Sequence, residues 1–514
     1  MVKLIDIFFI HLYGIFGNYI ITIMRGISMI SVDISKIISR IEELFADCAD
    51  VIKGEVSPCP GVRLYMVYID NMIDRRTIDR HVITPVLERL KNASVPYGGA
   101  FDIVKKTLST LDIQENDSFD DILTFILSGD TALFIDGSDK GIIIASRGFG
   151  NRGVPDVSTE VTVMGSREAF SEVVRINTAL IRRRIRDTKL KIKQLRIGKR
   201  SQTDVAFMYV EDIARTEAVT EVERLLNDVN ADAVTDVGVL EQLIEKSWYS
   251  PFPQAETTER PDKAAASILE GRIVITVDNS PFVLMLPVTL NSLYQSADDY
   301  FQRFWVMSFT RILRFAAGLI AVALPGLYLA AAVYHPALLP STLMLKMAEA
   351  RVNVPFPAVA EILLMEASFE LLREAGTRMP QAVGGTLGIV GGLIIGNAAV
   401  QAGIVSPIVV VVVALTAIAS FAIPSNALVT GYRMVKFMVI ILTAVFGLLG
   451  FWAGMLIILV HLSSLCSLGI PYLFPFVSRD ISECADLKDS LVRMPTRFLK
   501  KRPYFAQNNQ QKRM

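Results

Sequence analysis

The sequence predicts an α/β domain of two subdomains followed by an all-α membrane domain with several spans. The chain is 52% hydrophobic with a mean hydropathy of +0.42, yet 20% of its residues are charged. The charges are unevenly distributed, because residues 31–300 have the composition of a soluble domain and residues 304–476 are membrane-like. Two strand–turn–strand patterns lie in the first part, and long uncharged runs lie in the second.

The composition divides the chain into four regions. Asp6 interrupts the first apolar run, and an acidic side chain at a bilayer centre is costly, so we expect a peripheral segment there and not a span. Lys and Arg outnumber Asp and Glu at the C-terminus, which favours the cytosolic side. The regions are an N-terminal extension (1–30), a cytosolic α/β domain of two subdomains (31–300), a transmembrane domain (301–476) and a basic cytosolic tail (477–514).

Two hairpin patterns support the α/β assignment. The segment Gly129–Arg147 has two β-rich runs around an Asp-Gly-Ser-Asp turn, and Gly271–Pro287 repeats the layout around Asp-Asn-Ser. The runs that begin at Thr131 and Ile273 are crudely parallel in sequence. We interpret them as a weak internal repeat that predicts two similar subdomains. A chance resemblance of two ordinary hairpins is the alternative.

The most basic stretch of the chain runs from Arg182 to Arg200. Contact with nucleic acid or with anionic lipid headgroups is one interpretation, and a solvated linker between the subdomains is the other. No aromatic residues interleave the basic ones, which argues against nucleic acid. We therefore favour the linker.

The second half contains four predicted membrane spans. About 20 apolar residues cross the hydrocarbon core of a bilayer, and four runs have this character. The tail then lies on the side of the α/β domain, but Arg433 and Lys436 lie outside, against the positive-inside tendency. A further helix at Pro357–Gly376 is amphipathic and is not counted. The predicted spans are Phe315–Val333, Val383–Gln401, Ile404–Ile423 and Phe437–His461.

The second predicted span has two distinct faces. Glycines recur every four residues and form a ridge against which another helix could pack closely in lipid. The opposite face could line a pore or a substrate path, and an ordinary buried helix is the alternative. The ridge consists of Gly384, Gly388, Gly392 and Gly396. The candidate pore lining consists of Thr386, Val390, Ile394, Asn397 and Gln401.

The amphipathic helix carries several charges on one arc. Glu366, Glu370 and Glu374 lie at helical spacing, with Arg373 among them. One interpretation is an interfacial helix on the membrane surface. The other is a ring of carboxylates at the mouth of an oligomeric pore, where it would attract cations. The two interpretations are compatible.

Motifs of the common enzyme classes are missing from the sequence. It contains no P-loop, no HExxH and no GxSxG. The four histidines are scattered singly, and the four cysteines are too far apart for a disulfide framework or a zinc site. We therefore expect no enzymatic activity, no metal and no cofactor.

Several motifs in combination resemble one known family. The chain is similar, from about residue 60 to 476, to the A subunit of GerA-family spore germinant receptors and to its paralogue SpoVAF. It departs from the pattern at Ser166, where proline is common, and residues 1–30 have no counterpart. The motifs are REAF (167–170), LIRRRIR (180–186), PFPQ (251–254), TERPD (258–262), EGR (270–272), REAG (373–376), GNAAVQAGIVSP (396–407) and GIPYL (469–473).

This resemblance implies a location, partners and a function. The location is the spore inner membrane, with the α/β domain in the cytosol. The partners are a permease-like B subunit, which binds the nutrient, and a lipoprotein C subunit. The A subunits would form a pentameric channel that releases monovalent cations and starts germination.

Two other classes of function stay open at this point. A secondary transporter usually needs more spans and inverted repeats. A membrane scaffold for the B subunit needs no pore of its own. The nutrient, and the choice between a receptor subunit and the SpoVAF type, lie beyond the sequence.

Overall fold

The computed structural model describes residues 29–91, 96, 98–108, 112–148, 156–378, 396–477, 487 and 489–507. These residues fold into two α/β units, a helical bundle and a C-terminal tail. Each α/β unit contains a five-stranded sheet, and the bundle follows the second unit.

The first α/β unit contains these elements: α1 (Ile34–Leu44), β1 (Val51–Cys59), β2 (Val62–Ile69), α2 (Arg75–Ile78), a π-helical turn (Asp79–Ile83), α3 (Thr84–Lys91), α4 (Ala100–Thr107), β3 (Ile113–Asn116), α5 (Phe119–Leu127), β4 (Thr131–Ile135) and β5 (Gly141–Ile144). The strand order is β1-β2-β4-β5-β3, and all pairs are antiparallel. Helices α1 and α5 cover one face, and α2, α3 and α4 cover the other. Strands β4 and β5 are buried on both faces, which explains their continuous apolar sequences.

The second α/β unit repeats this layout. Its elements are α6 (Val174–Arg184), β6 (Leu190–Ile197), β7 (Thr203–Val210), α7 (Thr216–Asn227), α8 (Val237–Ile244), β8 (Glu256–Thr258), α9 (Pro261–Leu269), β9 (Ile273–Val277) and β10 (Val283–Leu286). The strand order β6-β7-β9-β10-β8 is that of the first sheet. Both predicted hairpins are present, as β4–β5 and β9–β10. The weak sequence repeat therefore corresponds to a repeat in topology.

The repeat extends to single hydrogen bonds. In each unit an aspartate at the hairpin turn accepts a hydrogen bond from the first backbone N–H of the unit's opening helix. Asp136 Oδ1 accepts from Ile34 N at 3.2 Å, and Asp278 Oδ1 accepts from Val174 N at 3.0 Å. A carboxylate at a helix N-terminus satisfies a free N–H and interacts favourably with the helix dipole.

The basic stretch from Arg182 to Arg200 is not a linker, so that prediction was wrong. It forms the end of α6 and the edge strand β6 of the second unit. Its buried basic side chains contact the first unit. The Arg182 side chain is fully buried, and its Nε and Nη2 donate to the Asp50 carboxylate at 2.8 and 2.9 Å. Lys191 Nζ donates to the carbonyl oxygens at the end of α1. The period-two pattern of this stretch is the strand signal that the basic composition obscured.

The helical bundle and the tail contain these elements: α10 (Leu290–Tyr294), α11 (Asp298–Phe301), α12 (Phe304–Leu329), a π-helical turn (Ala330–Tyr334), a 3₁₀ turn (Pro336–Leu338), α13 (Ser341–Arg351), α14 (Ala358–Arg378), helical residues 396–401, α15 (Pro407–Phe421), α16 (Asn426–Ser464), β11 (Cys466–Ser467), β12 (Ile470–Pro471) and a 3₁₀ turn (Thr496–Phe498). Within the described residues, two helical stretches are long and apolar enough to cross a membrane, Phe304–Tyr334 and Asn426–Ser464. Helix α15 is apolar but shorter.

Helix α16 is a hairpin of two helical legs, and this corrects the predicted last span, Phe437–His461. Gly447 has φ 62° and ψ −138°, a conformation that reverses the chain and that side chains strongly disfavour. A methyl group placed on Gly454 would lie 3.4 Å from the Val439 Cα, although these residues would be about 22 Å apart in a straight helix. The legs span residues 426–446 and 448–464, about 31 and 25 Å long.

The C-terminal tail returns to the second α/β unit. Gln507 N donates to the Ile213 carbonyl oxygen at 2.8 Å, and Ala506 forms an isolated bridge with Ala214. Closer to the bundle, Asp489 pairs with Arg311 of α12 at 2.7 Å. These contacts place the tail and the second α/β unit on the same side of the bundle.

Candidate functional site

The candidate pore lining falls largely outside the described residues. Asn397 and Gln401 lie on the short helix 396–401, and both are exposed. Gly396 is buried, and a methyl group on it would lie 3.1 Å from a methyl group of Val410 in α15. The polar face therefore points away from the packed face at this end, and the rest of the assignment stays a prediction. Outside the described residues lie Gly384, Gly388, Gly392, Thr386, Val390 and Ile394.

The three predicted carboxylates of α14 occupy different environments. The Glu366 side chain is only 3% exposed, and that of Glu370 is 19% exposed. Glu374 is exposed and pairs with Arg378 one turn later on the same helix, at 2.7 Å. Only the first two carboxylates therefore face the interior of the bundle, where charges need partners.

Two basic residues of the first leg of α16 neutralise these carboxylates. Lys436 Nζ lies 2.5 Å from Glu366 Oε2 and 3.7 Å from Glu370 Oε1. Arg433 forms an ion pair with Glu370. The two basic residues that violated the positive-inside tendency in the sequence are thus held by the two acidic residues of α14.

The same cluster reaches α15 through Arg373. Its Nη2 donates to Ser420 Oγ at 2.9 Å, and its guanidinium lies 5.0 Å from the centre of the Phe421 ring. Glu366, Glu370, Arg373, Arg433 and Lys436 therefore connect α14, α15 and α16. We call these five residues the ionic cluster.

The ionic cluster contains buried polar atoms without a hydrogen-bond partner among the described residues, and these include Arg433 Nε and Glu366 Oε1. Glu366 Oε1 is buried and has no hydrogen-bond partner among the described residues. A cavity of about 10 Å³ lies beside the cluster, lined by Glu366, Thr416 and Tyr432 among others. This volume is close to the minimum that holds one water molecule. A buried carboxylate oxygen costs roughly 1–3 kcal/mol while it stays unpaired, so Glu366 is held less completely than a carboxylate with both oxygens bonded.

A second ion pair lies toward the other end of α14, and the sequence analysis missed it. The Glu361 side chain is fully buried; it pairs with Arg351 of α13 at 3.3 Å and accepts from Ser406 N at 2.8 Å. Ser406 precedes Pro407 at the start of α15, where free backbone N–H groups favour a carboxylate. The available signal was the Ser-Pro pair, which is typical of a helix N-terminus.

The arrangement of the ionic cluster is suited to a structural switch between helices. Among the residues that the structure describes, no three His, Cys, Asp or Glu side chains are placed to hold a metal ion. The cluster joins three helices through charges, and one carboxylate oxygen remains unpaired. Relative movement of α14 and α16 would break these pairs, so the cluster is suited to hold one packing of the bundle against another.

The comparisons with known proteins identify one family. The sequence model of the Bacillus/Clostridium GerA spore germination protein matches residues 39–505. The uncharacterized membrane protein YfkQ of Bacillus subtilis is 38% identical over 487 residues, 94% of this chain and 93% of that protein. Spore germination protein KA of Bacillus subtilis is 38% identical and covers 92% of this chain and 87% of its own length. Spore germination protein GerLA of Bacillus cereus is 38% identical over 446 residues, which are 87% of this chain and 89% of that protein.

One solved structure is similar to the N-terminal half. It is the crystal structure of the N-terminal domain of the A subunit of the Bacillus megaterium spore germinant receptor GerK3. The identity is 27%, the match covers 50% of this chain and 96% of that domain, and the TM-score is 0.41.

Proposed function

The chain belongs to the GerA family of spore germination proteins, and from this premise we propose that it is the A subunit of a nutrient germinant receptor in the spore inner membrane. Copies of the chain assemble, as a pentamer according to the family resemblance, into a cation channel. Nutrient binding to a permease-like B subunit opens the channel, and a lipoprotein C subunit completes the receptor. The observation that carries the channel proposal is the ionic cluster, a set of paired charges inside a bundle with apolar helices.

The contacts of α12 and α16 support a path through the membrane. The start of α12 follows the second α/β unit, whereas Tyr334 at its far end packs against Gly447 at the tip of the α16 hairpin. The open end of the hairpin returns to the second unit, where His461 Nε2 and Ser250 Oγ share a hydrogen bond of 2.9 Å. Helix α12 then crosses once, and the hairpin crosses twice.

Helices α14 and α15 both run back toward the α/β units. Ala358 in α14 and Val409 in α15 share a core with Leu329, near the far end of α12. Toward the other end of α15, Ala419 packs with Ala317 in the first half of α12. Each of these helices therefore lies antiparallel to α12. The predicted span Val383–Gln401, which lies largely outside the described residues, is counted as a further crossing between them.

This path has about six crossings, and it explains the basic residues better than the four predicted spans do. An even number leaves the tail and the α/β units on one side, which their contacts require. Arg433 and Lys436 then lie in the half of the hairpin that is close to the α/β units, in agreement with the positive-inside tendency. The α14 helix counts as a crossing because the ionic cluster neutralises its charges.

The three tryptophans of the chain support the same placement. The exposed fractions are 83% for Trp248, 75% for Trp305 and 63% for Trp452. Trp248 lies in the loop that contacts the open end of the hairpin, and Trp305 lies in the first turn of α12. Tryptophan is enriched where a membrane meets water. Two of these side chains therefore mark the boundary next to the α/β units.

The proposed pore uses the residues predicted from the sequence. At its described end, Gly396, the glycine ridge packs against Val410 of the same chain. The opposite face would then turn toward an axis shared between copies, where Val390 and Ile394 would form an apolar constriction that gates by dewetting. Asn397 and Gln401 would provide polar rings beyond it. The exposure of these two side chains in the isolated chain supports a role at an axis shared between copies.

Substitution at Ile394 tests the pore. Ile394→Ala should widen the constriction and cause cation leak without nutrient, and Ile394→Phe should block release. The measurement is cation flux per assembled molecule, for the chain purified with its B and C subunits and placed in liposomes. If Ile394 is an ordinary core residue, the alanine substitution would lower the stability by roughly 2–5 kcal/mol and reduce the amount of protein. Unchanged flux per molecule in both variants would remove Ile394 from the pore.

The scaffold alternative gives a different result in the same liposomes. A chain that only holds the B subunit would give no flux without that subunit and no single-channel steps with it. A transporter would give flux without discrete steps. Stepwise cation conductance that changes with substitutions in this chain alone supports the channel.

A further inference from the structure

A cavity of about 520 Å³ lies where the second α/β unit, the start of the bundle and the C-terminal tail meet. Its volume is within the range of pockets that bind small organic molecules. Helix α9 forms one side, residues from Thr289 to Phe301 form the second, and the tail forms the third. The site lies outside the ionic cluster and the proposed pore.

Five aromatic residues contribute to the walls of the cavity, in a lining that also contains charged and polar residues. The aromatic side chains are uncharged and offer apolar surface to the carbon skeleton of a ligand. They come from three separate parts of the chain, so a bound molecule would contact all three. The aromatic residues are Tyr300, Phe301, Phe474, Phe498 and Phe505.

The charges at the base of the cavity are already paired. Arg272 donates to Glu256 Oε2 at 2.7 Å and to the Pro287 carbonyl oxygen at 2.9 Å. Lys263 pairs with Glu160 and also lies 3.0 Å from Glu256. These groups therefore shape the base without attracting an ion of either sign.

The lining also contains the carboxylates of Glu270, of Asp262, which pairs with Arg260, and of Asp489, which pairs with Arg311. Two other kinds of polar group are available to a ligand. Asn291 is 9% exposed, and its Oδ1 has no hydrogen-bond partner among the described residues. A buried acceptor of this kind requires a donor. Lys500 and Lys501 are exposed at the cavity and form no ion pair in the described part of the chain. The ligand should therefore have an anionic group, a hydrogen-bond donor and an apolar part.

We propose that this cavity binds an organic phosphate that carries a hydroxyl group. The phosphate faces Lys500 and Lys501, the hydroxyl group donates to Asn291 Oδ1, and the carbon skeleton packs against the aromatic walls. Two sources have this chemistry, the headgroup of an anionic glycerophospholipid and a soluble glycerol phosphate. The lipid source is accessible because α12 begins three residues after Phe301.

Occupation of this site would link the tail to the entrance of the bundle. Tyr300 Oη donates to Asp489 at 2.8 Å, and Asp489 pairs with Arg311 of α12. A ligand beside Tyr300 thus contacts the network that holds the start of α12. A ligand from the membrane or from the cytosol that binds here could therefore stabilise one packing of the bundle.

Binding is measured on the full chain, without any flux assay. One arm adds sn-glycerol 1-phosphate to protein in detergent and follows the Tm. The other arm compares nanodiscs of phosphatidylcholine with nanodiscs that also contain phosphatidylglycerol, and counts retained lipids by native mass spectrometry. A shift with glycerol phosphate identifies the soluble source, and selective retention of phosphatidylglycerol alone identifies the lipid source.

Three variants separate the cavity from non-specific attraction. Lys500→Glu with Lys501→Glu should weaken binding about 30-fold or more. Ala266→Trp fills the cavity from an exposed helix position and should abolish binding while the fold is kept. The control Lys199→Glu with Arg200→Glu changes an exposed basic pair outside the cavity and should bind like the wild type.

Three outcomes would overturn the proposal. Binding of neither probe contradicts it directly. Equal binding by wild type and Ala266→Trp places the ligand elsewhere. Equal weakening by the two charge-reversal variants shows that only the surface charge matters. None of these results depends on cation flux. The proposed binding site and the proposed channel can therefore be contradicted independently of each other.

Discussion

Two of the deeply buried ion pairs in the described part of the chain, Arg182 with Asp50 and Lys436 with Glu366, differ in how fully they are satisfied. Between the α/β units, Arg182 makes two hydrogen bonds to Asp50 and a third, at 3.1 Å, to the Asp187 carbonyl oxygen. In the bundle, Glu366 is bonded to Lys436 through one oxygen only, and the other oxygen has no partner among the described residues. The first pair is closed, and the second is incomplete.

This difference indicates different roles. A buried charge pair contributes to stability only when its remaining donors and acceptors are also satisfied. The pair at Arg182 meets that condition and holds the two repeats in one arrangement. The pair at Glu366 does not meet it. We therefore expect this pair to contribute less to the free energy that holds α14 against α16. We expect the α/β units to behave as a fixed body and, under the proposed function, the bundle to rearrange.

Removal of Arg182 should have the largest effect. Arg182→Ala leaves Asp50 buried without its partner, and such a loss typically costs roughly 3–5 kcal/mol. We expect a lower Tm for the full chain and separation of the two α/β units. The control Arg200→Ala removes an exposed arginine, 3.8 Å from Asp232, and should leave the Tm unchanged. A wild-type Tm in Arg182→Ala would contradict the comparison.

Substitution at Glu366 should change gating more than stability. Glu366→Gln keeps the shape but loses a hydrogen bond between charged groups, worth roughly 1.5–3 kcal/mol. We expect cation leak per assembled molecule to rise about tenfold or more.

Exchange of the two charges sharpens this test. Glu366→Lys with Lys436→Glu should return the leak toward the wild-type value if the pair itself holds the closed packing. Glu374→Gln is the matched control, because its ion pair with Arg378 is exposed. A leak that is the same in Glu366→Gln and Glu374→Gln would show that the cluster does not hold the closed state.

The sequence predicted elements well and side-chain partners poorly. The hairpins at Thr131 and Ile273 were visible because strand period and turn residues are local signals. The pairing of Arg433 and Lys436 with α14 was not visible, since the partners lie about 65 residues away in sequence and nothing local specifies the contact. A topology rule that counts charges without their partners therefore places them on the opposite side from the six-crossing path that we propose.

The last predicted span failed for a different reason. Hydropathy is continuous across Gly447, so a window average cannot show that the chain turns there. The local signal was the spacing of Gly447, Gly450 and Gly454, which lets the two legs approach closely. The glycines of the second predicted span indicate helix packing, whereas Gly447 in the last predicted span forms a turn.

The fixed body should itself respond to pH through α8. Burial, with the nearby Glu245 charge, raises the pKa of Glu241 to about 7. A raised folded-state pKa of an acid means that the folded form binds more protons, so stability falls as the pH rises from about 4.5 to 7. We expect a lower Tm at pH 8 than at pH 5, and a smaller difference in Glu241→Gln. Glu217→Gln, an exposed position in α7, controls for the loss of one charge.

The smallest effect should come from the two aspartates that open each repeat. Asp136→Ala and Asp278→Ala each remove one helix N-terminal hydrogen bond, a loss of about 0.5–2 kcal/mol. Because the bonds occupy equivalent places in the two units, the decreases in Tm of the full chain should be similar, and they should add in the double variant. Asp139→Ala changes an exposed aspartate in the same turn as Asp136 and should have no effect. A large decrease for only one of the two caps would mean that the repeat is shared in topology but not in energetics, and that one unit depends on the other for its stability.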